Sequence, residues 1–195
     1  MTPTVTGLRE RKRGRVVVEL DGRPWRELPG DAVVRAGLSV GRRLDRTTAR
    51  ELGREIRRAR ALAAATRSLA ASDRSQRALE DRLKRAGHST AARADALAAL
   101  ERAGVLDDAR LAEGRAELLA RRGYGDAAIR ADLRKRLIPA EAAANAVAAL
   151  EPELARARRL VESESLRPAL LRRLSVRGFS RETVDEVATT FALEA

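Results

Sequence analysis

Three stretches of the chain share one spacing, and this repeat constrains the fold more than any other feature. Each stretch has two apolar residues four positions apart, and the next position at that spacing is glycine in two of the three copies. The copies begin at Leu79, Ile129 and Leu170, which gives offsets of 50 and 41 residues. Such a pair followed by glycine is typical of a helix with a left-handed cap, and the offsets are typical of helical arrays. The sequence therefore predicts tandem helical units that bury their apolar faces against one another.

A further helix is predicted before and after each copy, so that each unit has three helices. The preceding helices are expected near residues 47–72, as one long helix or two with a bend, 108–122 and 153–163. We therefore predict a mainly α protein in which three units form an elongated, curved array. The predicted division is a β-rich module over 1–45, a first unit over 46–106, a second over 107–151 and a third over 152–195.

The first 45 residues have a different pattern, which predicts a small basic β-rich module. The β-branched run Arg15–Leu20 is followed by Asp21-Gly22, a strong signal for a hairpin turn. A third strand is expected to follow, and Pro24 favours an edge position for it. Asp31 is predicted to be the N-cap of a short helix over residues 32–36.

Charge and composition narrow the class of function. The net charge is +12, and the first 105 residues carry 24 basic and 13 acidic side chains, so nearly all of the excess lies there. This balance indicates a polyanionic partner or one with an acidic surface. The chain has no cysteine, one histidine and 2% aromatic residues, which argues against disulfides, thiol nucleophiles, two-histidine zinc sites and base-stacking platforms.

No catalytic pattern appears in the sequence, so we expect a protein that is not an enzyme and needs no cofactor or metal. The chain has no nucleophile–base pair and no phosphate-binding loop. No apolar run approaches the ~18 residues of a membrane-spanning helix or the length of a signal peptide. We expect a cytoplasmic protein without membrane contact. A monomer is also expected, since no heptad pattern predicts a dimer.

Arginine clusters are the candidate binding residues. One cluster crowds the first predicted turn, one lies on the long helix, and three lie on the same helix of successive units, where they are predicted to form a discontinuous basic stripe. For any single arginine, a solvated helix surface is the simpler interpretation. The candidates are Arg11, Lys12, Arg13, Arg15, Arg57, Arg58, Arg82, Lys84, Arg85, Arg134, Lys135, Arg136, Arg172, Arg173 and Arg177.

Other conspicuous residues have structural interpretations. Asp107-Asp108 is expected to cap a helix rather than to bind a metal, because no further ligands follow. Gly123-Tyr124-Gly125 is expected to end a helix, with Tyr124 in the core. His88 is expected to be a packed or half-exposed turn residue. Trp25 is expected to join the β module to the rest of the chain rather than to anchor a partner.

Several motifs resemble those of the RecX family, regulators of the RecA recombinase, in the order and spacing of that family. The resemblance covers most of the chain. The first-unit run from Arg74-Ser75 to Leu100 resembles the family's first unit, and the segment before Asp31 resembles an N-terminal extension of many members. The other motif residues are Asp107, Asp108, Arg110, Leu111, Ala112, Gly123, Gly125, Ile129, Leu133, Gly178 and Phe179.

The resemblance implies a protein that lies in the groove of the RecA filament and restrains its ATPase, coprotease and strand-exchange activities. It implies no cofactor and no catalysis, with weak DNA contact in many members. Four positions depart from the family pattern, namely His88, Leu111, Asp132 and Leu137. The last is the most unusual, since leucine adopts a positive φ at a cost. We expect this helix to end without a left-handed cap, or to be stopped by Pro139.

A second hypothesis remains open, that of a sequence-non-specific DNA-binding protein without RecA contact. Helix pairs joined by short turns resemble helix-turn-helix units, and the charge suits phosphate binding. Against it, the candidate recognition helices are rich in alanine, and Asn145 is the only asparagine in the chain.

Overall fold

The computed structural model describes residues 2–164 and 168–193. This part contains three β-strands at the N-terminus, followed by ten α-helices. The predicted fold class, mainly α with a small N-terminal β-rich module, is confirmed. The strands are β1 (Val5–Arg11), β2 (Arg15–Leu20) and β3 (Arg23–Pro29), and the helices are α1 (Gly30–Arg35), α2 (Arg46–Ala71), α3 (Gln76–Arg85), α4 (Thr90–Arg102), α5 (Asp108–Arg121), α6 (Asp126–Lys135), α7 (Ala140–Ala148), α8 (Glu153–Glu164), α9 (Pro168–Val176) and α10 (Arg181–Leu193).

The chain separates into two compact units. The first unit contains the residues up to 72 together with 79–105, and the second contains 73–78 together with the residues from 106 onward. The second unit thus takes up the segment that leads into α3. The predicted division into a β module and three helical units stays a prediction.

The β module is an antiparallel sheet in the order β1-β2-β3. Asp21 and Gly22 join β2 to β3 with φ values of 48° and 80°. Both central residues are therefore left-handed, as in the type I′ turn that Asp-Gly favours, and this hairpin prediction is confirmed. Val18 and Leu28 of the sheet pack with Leu52 of α2 in one apolar cluster.

Helix α1 starts one residue before the predicted N-cap. Pro29 occupies the N-cap position, with φ −60° and ψ 131°, and no side chain caps the helix. Asp31 lies inside the first turn, so its assignment as N-cap was wrong. The cause is that Pro29 and Gly30 turn the chain directly from β3 into the helix.

Helix α2 is a single helix of 26 residues, which decides between the two forms expected for this stretch. Asp45 caps it by accepting a hydrogen bond from the Thr48 N–H at 2.8 Å. That bond lowers the pKa of the Asp45 carboxyl. Farther along, Ala61 of α2 packs against Ala92 and Ala96 of α4. These small side chains allow the two helices to approach closely.

The repeated apolar pairs form the interior of the helical units. Ile129 and Leu133 of α6 are fully buried among α5 and α7. Leu170 and Leu174 of α9 are buried with residues of α8 and α10. Leu79 and Leu83 of α3 are buried in the same way. The spacing therefore identified core positions in each of the three copies.

The three copies end in the same backbone conformation, including the copy without glycine. Gly87, Gly178 and Leu137 have φ values of 80°, 82° and 58°. The expectation that the Leu137 helix lacks a left-handed cap was therefore wrong. The Leu137 N–H donates to the Arg134 carbonyl at 3.0 Å, and the Ile138 N–H donates to the Leu133 carbonyl at 3.2 Å. These two capping bonds are those of a Schellman motif, and they offset the strain of a left-handed leucine.

Candidate partner-binding surfaces

A junction of hydrogen bonds connects the residues at the start of α3 with α5 and with the end of α6. At the start of α3, the Ser75 hydroxyl donates a hydrogen bond to the Arg136 carbonyl at 2.7 Å. The Gln76 N–H donates to the Asp108 carboxylate at 2.9 Å. The first turn of α3 is therefore tied to the end of α6 and to the start of α5.

The same junction recurs at the equivalent positions of the next repeat. The Gly125 N–H donates to the Arg177 carbonyl at 2.9 Å, and the Asp126 N–H donates to Glu153 at 2.7 Å. Burial opposes ionisation of Glu153, but hydrogen bonds from Asp126 and from Ser180 and Thr183 together lower its pKa. An ionised carboxylate at the start of one helix thus binds the free amide at the start of another.

Two glycines make the second junction possible. A Cβ on Gly125 would lie 2.2 Å from the Phe179 nitrogen, and a Cβ on Gly178 would lie 2.5 Å from the Cβ and the nitrogen of Ala128. Gly125 has φ −80°, so it is required for the close approach rather than for its backbone conformation. Phe179 beside them is buried. These two motif glycines therefore belong to the packing between repeats.

The paired carboxylates Asp107 and Asp108 have separate structural roles. Asp107 is the N-cap of α5 and accepts from the Arg110 N–H at 2.9 Å. Asp108 binds the Gln76 amide of the junction described above. The capping prediction is confirmed for Asp107. Next to them, Ala112 is buried and Leu111 packs against the core of the unit.

On α6, the basic cluster is partly neutralised by Asp132. Arg115 of α5 binds this carboxylate through two nitrogens at 2.8 and 2.9 Å, and Arg136 binds it at 2.9 Å. The Arg115 hydrogen bond, supported by the one from Arg136, lowers the pKa of Asp132 to about 2. Arg134 and Lys135 are exposed and make no ion pair within the described residues. Two of the three predicted cations on this helix are therefore available to a partner.

Those two cations line a groove between α5 and α6. The α5–α6 groove has a volume of about 560 Å³, and its lining includes the apolar side chains of Leu119, Ala128 and Ala131. Tyr124 lies at its edge with 38% of its surface exposed, so the prediction of a core position for it was wrong. Gly123 ends α5 with φ 78° and turns the chain so that the tyrosine lies outside the core. Arg115 and Arg122 complete the cationic lining.

Arg156 of α8 fixes the backbone beside Tyr124, and sequence reasoning missed it. Its side chain is only 6% exposed and pairs with Asp126. It also donates to the carbonyls of Tyr124 and Glu151, each at 3.0 Å. An arginine that binds three groups from two segments, one of them the stretch Tyr124–Asp126, holds the start of α6 in position. Its spacing in the sequence is that of an ordinary surface arginine on a helix.

The other helical candidates are surface residues with fewer partners. Arg82, Lys84 and Arg85 of α3 are exposed, and Arg85 donates only to the Asp81 carbonyl of its own helix. Arg172 and Arg173 of α9 are exposed, while Arg177 is half-buried. On α2, Arg57 is exposed, and Arg58 lies 3.8 Å from Glu55. Within the second compact unit, α6 and α9 both carry cations, as the repeat predicted, but Arg136 is bound to Asp132.

In the β module, the first hairpin carries its cations at the turn. Arg11, Lys12 and Arg13 are exposed, whereas Arg15 is bound to Glu27 at 3.0 Å. Trp25 is 39% exposed, and the guanidinium of Arg26 lies 5.4 Å from its ring centre. The predicted joining role of Trp25 was therefore wrong, because β3 is an edge strand and this side chain stays on its solvent side.

Two features are absent from the residues that the structure describes. Among the described residues, no three His, Cys, Asp or Glu side chains lie close enough together to hold a metal ion. His88 is half-buried in the turn before α4, as expected. No helix in the described part of the chain is both long and apolar enough to cross a membrane.

Comparisons with known proteins agree with the architecture. No family model and no curated protein sequence matches the chain. Among solved structures, the crystal structure of regulatory protein RecX matches with a TM-score of 0.80 at 17% identity, over 96% of this chain and 99% of that one. The crystal structure of RecX from Lactobacillus salivarius matches with a TM-score of 0.62 at 18% identity, over 70% of this chain and 97% of that one.

The likeness to the first structure extends over 96% of this chain, and both structures are of proteins named RecX. At these identities the agreement lies in the order and packing of the helices rather than in most side chains. The repeat spacing and motif residues pointed to the same fold. The chain therefore has the fold of the RecX regulatory protein.

Proposed function

We propose that this chain is a RecX-family regulator that binds the filament of the RecA recombinase and mostly inhibits its ATPase, coprotease and strand-exchange activities. The observation that carries the proposal is the full-length fold likeness to regulatory protein RecX, at a TM-score of 0.80. The motif residues in the order of that family support it.

The mechanism that we propose is multivalent docking. The two junctions join equivalent positions, with the Ser75 hydroxyl as donor in one and the Gly125 N–H in the other. Exposed basic residues recur on α3, α6 and α9. A protein that presents the same kind of surface more than once binds a polymer better than an isolated subunit, because the second contact forms intramolecularly. The protein can therefore prefer the filament even if each single contact is no stronger than its contact with a free RecA subunit.

In this proposal, electrostatic attraction brings the protein and the RecA filament together. Arg134 and Lys135 line the α5–α6 groove without an ion pair in the described part of the chain, whereas Arg115 is held by Asp132. Cations beside apolar lining residues suit an acidic surface that carries a protruding apolar side chain. We expect salt to weaken this contact, since exposed charges are screened over about 8 Å at physiological ionic strength.

A binding experiment tests the proposal. Cosedimentation with preformed RecA filaments on single-stranded DNA is compared with binding to free RecA subunits at the same subunit concentration. We expect saturable, tighter binding to filaments, and weaker binding by the variant Arg134→Gln/Lys135→Gln. Equal affinity for filaments and free subunits would contradict the multivalent mechanism, and no binding to either would contradict the proposed function.

A control variant separates the groove from net charge. Arg121 and Arg181 pair with acidic residues of their own helices at 3.8 and 3.5 Å, and neither lines the α5–α6 groove. The variant Arg121→Gln/Arg181→Gln removes the same charge as the groove variant. We expect it to bind filaments like the wild type.

The second candidate function is DNA binding without RecA contact, and the net charge of +12 favours it. The two functions differ in their response to competitor DNA. A regulator of the filament keeps its effect when naked DNA is added in moderate excess, whereas a DNA competitor loses it.

A further inference from the structure

The turn between β1 and β2 holds an arginine in a strained conformation. Arg13 has φ 63° and ψ 35°, and Gly14 follows with φ 65°. A side chain with a Cβ meets steric repulsion in this left-handed region, which is the reason why Asn, Asp or Gly is usual there. The hairpin between β2 and β3 has residues that are usual in this conformation, Asp21 and Gly22. The first hairpin therefore departs from the rule that the second one follows.

The same turn concentrates positive charge that this chain leaves uncompensated. Arg11, Lys12 and Arg13 are consecutive, exposed and without an ion pair in the described part of the chain. The flanking Arg9 is bound to Glu19. Glu10 precedes this cluster in the sequence, and alternation along β1 directs it to the face opposite Arg9 and Arg11. Like charges that are adjacent repel one another, so both strain and repulsion oppose this sequence in the free protein.

The turn is preformed rather than loose. The strands stay paired up to Arg11 and Arg15, and the Gly14 carbonyl lies so close to Gly30 that a Cβ there would approach it to 3.1 Å. A ligand therefore meets a fixed arrangement of cations and loses little binding energy in ordering them. We call residues 11–14 the hairpin tip.

We propose that the hairpin tip binds the phosphate backbone of duplex DNA. A two-stranded β-ribbon fits the major groove, which is about 12 Å wide, and lysine and arginine at its tip contact the flanking phosphates. Exposed aromatic or large apolar side chains are absent from residues 11–14, although such anchors dominate protein interfaces. The chemistry therefore favours a phosphodiester partner over an acidic protein. The surface is separate from the α5–α6 groove, so this site goes beyond the proposed function.

The test measures binding of the full chain to naked DNA in the absence of RecA. Fluorescence anisotropy of a labelled duplex of mixed sequence gives the affinity at several salt concentrations. Each phosphate contact contributes about 0.9 to the slope of log K against log salt concentration. We expect the variant Arg11→Gln/Lys12→Gln/Arg13→Asn to lower that slope by up to about 2.7 and to weaken binding at every salt concentration.

The single variant Arg13→Asn separates a binding role from a structural one. Asparagine tolerates the left-handed conformation and suits the turn. We expect the melting temperature to rise while the salt slope falls by about 0.9. A residue that serves the fold alone would not change stability and binding in opposite directions. A fall in melting temperature would overturn the inference that the tip is strained.

A matched control removes the same charge elsewhere in the first unit. Arg35, Arg46 and Arg67 are exposed and lie outside the hairpin tip, so we expect their triple change to glutamine to keep the wild-type salt slope. Equal losses in control and tip variants would overturn the proposal, as would wild-type duplex binding by the tip variant. A defect seen only with single-stranded DNA would also overturn it. None of these DNA results bears on the RecA proposal.

Discussion

Three glycine-to-alanine variants test the helix ends and the junction between repeats, because each of the three positions requires glycine for a different structural reason. Gly87 has φ 80°, and nothing lies within 4 Å of a Cβ built on it. Gly125 has an ordinary φ, but a Cβ would overlap the Phe179 nitrogen at 2.2 Å. Gly178 combines φ 82° with an overlap of 2.5 Å against Ala128. The three variants therefore measure backbone strain, steric overlap and their sum.

The expected magnitudes follow from these geometries. Gly87→Ala should lower the free energy of unfolding by about 1 kcal/mol, the typical cost of a left-handed non-glycine residue. Gly125→Ala should lower it by about 2–3 kcal/mol, because the overlap is with backbone atoms that cannot move aside independently. Gly178→Ala combines both effects, and we expect a loss of about 3–4 kcal/mol.

Urea unfolding followed by circular dichroism at 222 nm measures all three variants. The order of destabilisation should be Gly178→Ala, then Gly125→Ala, then Gly87→Ala. Similar losses for the three would refute the reasoning, since they would show that the approach of Gly125 and Gly178 to their neighbours carries no energy of its own.

Substitutions at three further residues test the polar contacts of the second compact unit. Asp132→Asn should lower the free energy of unfolding by about 1–2 kcal/mol at pH 7. The pKa of Asp132 in the folded protein is about 2, below the ordinary 3.8. Urea titrations should therefore show a constant difference from the wild type above pH 4 and a smaller one as the pH falls towards 2. Arg156→Met should lower the free energy of unfolding, measured in urea, by about 3 kcal/mol, since it removes the buried partner of Asp126. A decrease of less than 1 kcal/mol would show that the pair is not buried in solution. Asp107→Ala should lower the melting temperature by about 2–4 °C, the equivalent of about 1 kcal/mol for a lost N-cap, whereas Asp107→Ser should retain most of the stability.

Periodicity and turn chemistry predicted much of the fold, because both act over a few residues. Asp21-Gly22 located the hairpin, and the pairs at Leu79, Ile129 and Leu170 located buried positions and helix ends in three repeats. The same local reasoning failed at Leu137. There the capping hydrogen bonds outweigh the preference of the side chain, and sequence alone does not give that balance.

The candidate surfaces were less predictable, since they depend on contacts between residues distant in sequence. Arginine clusters could be located, but the pairing of Arg115 and Arg136 with Asp132 could not be anticipated. Tyr124 lies outside the core because of the turn at Gly123. Arg156 is buried and binds partners from two segments, although it has the sequence spacing of a residue on a solvated helix face.

The most direct test of the proposed function is DNA-dependent ATP hydrolysis by RecA, with this protein titrated below one copy per recombinase subunit. The account predicts strong inhibition at such ratios that persists when more DNA is added, because binding to a filament affects many subunits at once. Inhibition that appears only near saturation of the DNA, and that added DNA relieves, would contradict it, as would ATP hydrolysis that remains unchanged throughout the titration.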